Sequence, residues 1–67
     1  MQTINAIYQG LYDRAINTAA RMEERYNRTE RANDGQYNAE LQKLQDSRRR
    51  WIEHYRAKAA EYKIKMI

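Results

Sequence analysis

The 67-residue chain has no cysteine, no proline, no phenylalanine and no valine, and it carries only two glycines and one histidine. Each absence removes a class of answer. Without cysteine no disulfide can staple a small fold, and with His54 as the sole histidine a zinc site lacks its usual ligand set. No cofactor is expected. Without proline nothing in the sequence forbids long helices. No stretch approaches the roughly 20 apolar residues that a bilayer span needs. The first twenty residues also lack a basic start followed by an unbroken apolar run, so neither a transmembrane segment nor a signal peptide is expected. The lack of cysteine suits a reducing compartment, and the expected location is the cytoplasm or a macromolecular assembly such as a virion. Asn27-Arg28-Thr29 matches a glycosylation sequon, which without a secretion signal reads as chance.

Core-forming residues are also scarce. Leucine and isoleucine together number nine, a poverty that by itself resembles a disordered chain. Trp51, six tyrosines, three methionines and nine alanines weigh against that. Tyrosine buries apolar area while keeping a polar tip wet, so it suits a half-exposed seam. A single core of this size rarely supplies more than about 3–5 kcal/mol. With staples and metals removed, oligomerisation or docking on a partner remains as the source of further stability.

What is present reads as two helices. Apolar residues recur at Ile4, Tyr8, Leu11, Ala15, Ala19, Met22 and Tyr26, and again at Tyr37, Leu41, Leu44, Arg48, Trp51 or Ile52, Tyr55, Ala59, Tyr62 and Met66. Steps of three and four predict helices, and strict alternation appears nowhere. Thr3 is a candidate N-cap for a first helix over about 3–32. Asn33-Asp34-Gly35 is the one strong break, predicting a turn over 33–36 and a second helix over about 37–65, with Asp34 available to cap it. Gly10 lies inside the first helix, where it costs on the order of 1 kcal/mol relative to alanine. Both stripes average near 3.6 residues per step, which predicts nearly straight helices of roughly 45 Å. The fold class expected is therefore all-α, one antiparallel two-helix hairpin spanning 1–67. Folding at Asp34-Gly35 sets Tyr8 near Tyr62, Leu11 near Ala59, and Ala15 and Ala19 opposite Tyr55 and Trp51, small against large. The competing reading is one uninterrupted helix in an extended coiled coil.

Catalytic constellations are missing. His54 is the only residue able to serve as a neutral base, and in the helix register it points away from the stripe, with Glu53 and Tyr55 facing elsewhere. Glu23 and Glu24 are helix neighbours that diverge, so they form a solvated face rather than a paired carboxylate site. An enzyme is not expected, and no catalytic or metal-binding residue is nominated.

Charge is distributed unequally. Residues 1–34 hold five arginines and five acids, so the whole net charge of +4 lies beyond them. Arg49, Arg56 and Lys63 recur every seven residues as one basic line, broadened by Arg50, Lys58 and Lys65, with Trp51, Tyr55 and Tyr62 adjoining. Such a row suits a phosphate backbone with bases stacked beside it. The plainer reading is a solvated face, helped by the pairs Asp46–Arg50 and Glu61–Lys65 and by Glu53 near Arg49 and Arg56. Arg48 is the anomaly, because it falls on the apolar stripe opposite Met22. Glu23 and Tyr26 are its nearest candidate partners, and a snorkelling head group is the simpler expectation.

The apolar surface gathers away from the turn, where Met1, Ile4, Ile7, Ile64, Met66 and Ile67 surround the two ends, while Tyr12 and Ile16 widen the first stripe. One hairpin cannot cover so broad a face, but two packed together give a four-helix bundle. The layout resembles that of the Rop family, small RNA-binding hairpins that dimerise in this way. The likeness is one of length and arrangement, with no shared motif to transfer functional residues. Leu44-Gln45 followed by Trp51 and Tyr55 is similar to part of some type III secretion needle subunits, but the proline-bearing turn of that family is missing. The function expected is a non-enzymatic assembly or adaptor protein, acting by self-association or by docking on a larger protein, of a kind that suits a phage-encoded structural component or inhibitor. Its contact residues are nominated as Ile4, Ile7, Leu11, Ile16, Trp51, Ile52, Tyr55 and Tyr62. The alternative is a small basic nucleic-acid-binding dimer using Arg49, Arg50, Arg56 and Lys63.

Overall fold

The computed structural model describes residues 3–66, with side chains from Ile4 onward. The capping role expected of Thr3 and the apolar contributions of Met1 and Ile67 lie outside what it describes. Helix α1 spans Thr3–Asn33 and helix α2 spans Ala39–Lys65, and the two pack against each other as a hairpin. At about 1.5 Å per residue they run to about 46 Å and 40 Å, within a molecule measuring 54 × 15 × 12 Å. Among the described residues, no helix is long and apolar enough to cross a membrane.

The turn lies where the sequence places it, but its chemistry differs. Asp34 (φ 52°) and Gly35 (φ 74°) both take the left-handed conformation, and the Gln36 N–H closes on the Asn33 carbonyl at 3.1 Å. Two central residues with positive φ are the mark of a type I′ turn, which suits Asp-Gly. The Asn33 side chain braces it by donating to the Gln36 carbonyl. Asp34 therefore ends α1 rather than capping α2. That role belongs to Asn38, whose Oδ1 accepts from the backbone N–H groups of Glu40 and Leu41, both at 3.1 Å. Because Asn38 supplies the cap, α2 begins two residues later than expected and Tyr37 is left exposed in the connection. Asn38→Ala should lower stability by about 1 kcal/mol, read as a fall in urea midpoint. An unchanged midpoint would show that the cap is not used.

The seam keeps a seven-residue period. Along α2 and its C-cap Met66, the residues Leu41, Gln45, Arg48, Ile52, Tyr55, Ala59, Tyr62 and Met66 are buried or half buried in alternating steps of four and three, with Ser47 half buried beside them. The same steps on α1 join Tyr8, Tyr12, Ala15, Ala19, Met22, Tyr26, Thr29 and Asn33. The steps average 3.5 rather than 3.6 residues, and with them one placement changes and an open one is decided. Gln45 is buried in place of Leu44, and Ile52 rather than Trp51 fills the seam. Ala19 consequently does not face a buried tryptophan.

The fully buried apolar set is small: Ala15, Ala19, Ile52 and Ala59. Three alanines among four residues let the backbones approach closely, at the cost of little apolar area. Tyr8 and Tyr62 meet across the seam as expected, with ring centroids 6.3 Å apart. Gly10 plays no part in this approach, since a Cβ added there would meet nothing within 4 Å.

Candidate interaction surface

Side chains lean toward the N-terminus of their own helix, and for α2 that end is at the turn. Long α2 side chains therefore reach α1 residues nearer the turn than simple pairing about Gly35 would suggest. Glu23, opposite Ser47 on that simple pairing, is bridged instead by Arg56. Tyr26 is reached by Arg49, whose Nη2 donates to the phenol oxygen at 2.6 Å while the guanidinium lies 5.6 Å from the ring centroid. This hydrogen bond, with the charges of Asp46 and Glu53 behind it, raises the proton affinity of Arg49 above its already high ordinary value.

Both partners expected for Arg48 are thus taken by its neighbours. Among the described residues Arg48 meets no carboxylate. Its Nη1 donates to Thr29 Oγ1 and to Gln45 Oε1, each at 2.9 Å. Thr29 in turn donates to the Arg25 carbonyl at 3.0 Å. Gln45, only 2% exposed, donates through Nε2 to the Tyr26 carbonyl and to Glu30 Oε1, both at 3.0 Å. Among the described residues no buried side-chain polar atom lacks a partner. The turn-proximal half of the seam is consequently a satisfied polar network, and the half near the chain ends is the apolar one.

Two flanks border the seam, and their chemistry differs. One cleft is lined by Glu23, Tyr26, Asn27, Arg49, Ile52, Glu53 and Arg56. Here two of the four nominated nucleic-acid contacts, Arg49 and Arg56, are engaged within the hairpin, while Lys63 continues the same helical row about two turns further on. Three clefts that share residues follow the other flank. The central one is lined in part by Leu11, Arg14, Thr18, His54 and Lys58. Thr18 continues it to Arg21, Met22 and Arg25, and His54 continues it to Ser47, Arg50 and Trp51. No carboxylate lines any of the three.

His54 does not stand apart from its neighbours as the register suggests. Its ring meets Trp51 at 5.5 Å and Tyr55 at 5.4 Å, both edge to face, and Trp51 lies 6.1 Å from Tyr55. The three rings form an aromatic ledge on α2, with Trp51 half exposed at its edge. Asp46 accepts from Gln42 at 3.1 Å rather than pairing with Arg50. Lys65 and Lys58 share Glu61, at 3.4 Å and 3.7 Å.

The nominated contact residues divide into three groups. Ile52 is buried in the seam, and Leu11, Tyr55 and Tyr62 line it half buried. Ile4, Ile7, Ile16 and Trp51 remain exposed on the surface, joined there by Leu44 and Ile64. The basic residues of α1 are hidden from a segment-by-segment sum because five arginines cancel five acids over residues 1–34. The spacing of Arg14, Arg21 and Arg25, by seven and then four, is the signal that they share one helix face. Among the described residues no three histidine, aspartate or glutamate side chains converge as metal ligands do. No protein-family model, curated protein or solved structure matches the chain.

Proposed function

We propose that the chain is a non-enzymatic helical-hairpin assembly or adaptor protein, and that its first mode of action is self-association into a larger helical bundle, with docking on a larger protein as the other mode. The observation that carries this reading is a disproportion. The seam fully buries one large aliphatic residue, Ile52, whereas Ile4, Ile7, Ile16, Leu44, Trp51 and Ile64 remain outside it, Ile64 at 83% exposure. A hairpin with so thin a core gains most by covering those side chains with another apolar surface. The same thinness suits a structural component of a phage particle or an inhibitor more than a catalyst, which needs rigidly held groups.

Equilibrium sedimentation over a range of concentrations tests the reading. The expected result is a mass at least twice the 8.1 kDa of one chain, with a melting temperature that rises with protein concentration. Ile16→Glu should lower both. A folded 8.1 kDa species whose melting temperature is independent of concentration would overturn self-association.

A further inference from the structure

We infer that the flank carrying Trp51 is a binding groove for single-stranded nucleic acid, distinct from the basic row of Arg49, Arg56 and Lys63. Three observations converge on it. The first is charge sorting: Arg14 of α1 and Lys58 of α2 line one cleft between the helices, which continues to Arg21 and Arg25 along α1 and to Arg50 along α2, and no carboxylate lines any of the three. The second is that these cations are largely unspent. Among the described residues Arg14, Arg21, Arg25 and Arg50 make no ion pair, and Lys58 has only a 3.7 Å contact with Glu61. On the opposite flank Glu23 and Glu53 sit among the arginines. The third is the ledge formed by Trp51, His54 and Tyr55 beside this row, with Trp51 51% exposed.

Cations along a groove neutralise phosphates without regard to sequence, and an indole with an accessible face stacks on an unpaired base. A duplex hides its base faces, and an acidic peptide has none, so neither makes use of the aromatic ledge. The groove runs along the seam rather than across one helix, which suits an extended strand. Ile16 projects from the flank of Glu23, seven residues before it on the same helix, so association through Ile16 leaves this groove open, whereas association that covers Trp51 competes with the strand.

Trp51 is the only tryptophan, so its fluorescence reports stacking directly. Titration of the full chain with a mixed-sequence single strand of about 15 nucleotides at low salt should quench it, and about four phosphate contacts predict a roughly 50-fold loss of affinity between about 50 and 200 mM salt. Arg14→Gln/Arg21→Gln/Arg25→Gln should weaken binding at least about tenfold and flatten the salt dependence. The charge-matched variant Lys43→Gln/Arg56→Gln/Lys63→Gln should weaken it less than about threefold, with circular dichroism confirming helicity in both. Trp51→Leu, read by anisotropy of a labelled strand, should lose about 5- to 150-fold. The proposal is overturned if the single strand causes no quenching, or if both triple variants weaken it equally. It is also overturned if polyglutamate, the matched duplex or anionic phospholipid vesicles quench Trp51 as strongly.

Discussion

Ile52→Ala should abolish cooperative folding of the isolated hairpin. Ile52 is the largest of the four fully buried apolar side chains, and the other three are alanines that have nothing to lose by truncation. Removing a buried isoleucine to the β-carbon costs about 2–5 kcal/mol, the upper part of that range applying where neighbours cannot collapse into the space. Two long helices already brought close by Ala15, Ala19 and Ala59 have little freedom to collapse locally. The loss is therefore comparable with the roughly 3–5 kcal/mol that a core of this size supplies in total. Thermal melts followed by circular dichroism at micromolar concentration should change from a sigmoid to a shallow slope. Trp51→Ala provides the contrast, since Trp51 is half exposed and touches only His54 and Tyr55 of its own helix among the ring contacts, so the hairpin should remain folded. A melt of Ile52→Ala within about 1 kcal/mol of the parent would show that the seam is not where the stability resides. In an oligomer the same substitution should be partly masked, because a second chain contributes burial of its own.

The contrast between Ile52 and Trp51 also shows how far the sequence can be read. The hairpin is legible because three independent signals agree: a chain without proline, apolar steps of three and four, and a single Asp-Gly near the middle. The phase of α2 is legible over most of its length, since Leu41, Arg48, Tyr55, Ala59, Tyr62 and Met66 fall on the expected stripe and are buried or half buried. Ranking residues by hydrophobicity misplaces one position, Leu44 for Gln45, and leaves the choice between Trp51 and Ile52 open. What Gln45 and Arg48 gain in the seam is hydrogen bonding. Gln45 and Arg48 find partners on Tyr26, Thr29 and Glu30, and no intrinsic scale of residue preference contains that information. The Trp51 groove is hidden for a related reason. Charge summed along a segment reports zero for residues 1–34, whereas charge sorted by helix face separates Arg14, Arg21 and Arg25 from Glu23 and Glu30. A face-by-face count finds it from the sequence alone.

Gln45 then becomes the most informative position in the molecule, because two substitutions there should give opposite results. Gln45→Ala leaves a gap where a side chain was 2% exposed and strips Glu30 and Arg48 of a partner in a half-buried setting. An unsatisfied buried polar group costs about 1–3 kcal/mol, before any cavity is counted. For so thin a core that is a large fraction of the whole, and the urea midpoint should fall accordingly. Gln45→Leu restores the volume and removes the desolvation cost of the amide. Replacing a satisfied buried polar group by an apolar one of similar shape is often neutral or stabilising, so stability should stay within about 1 kcal/mol of the parent. What the Gln45→Leu side chain cannot do is choose. With leucine at both 44 and 45 and tryptophan beside isoleucine at 51 and 52, either phase of α2 offers two large apolar residues to this part of the seam. The expected signature is an unaltered melt with a broadened mixture of species in sedimentation and doubled amide resonances for α2. A single species for Gln45→Leu, with one set of resonances, would assign the choice of phase to the turn and the Asn38 cap instead. The polar network near the turn would then be a consequence of the register rather than its cause.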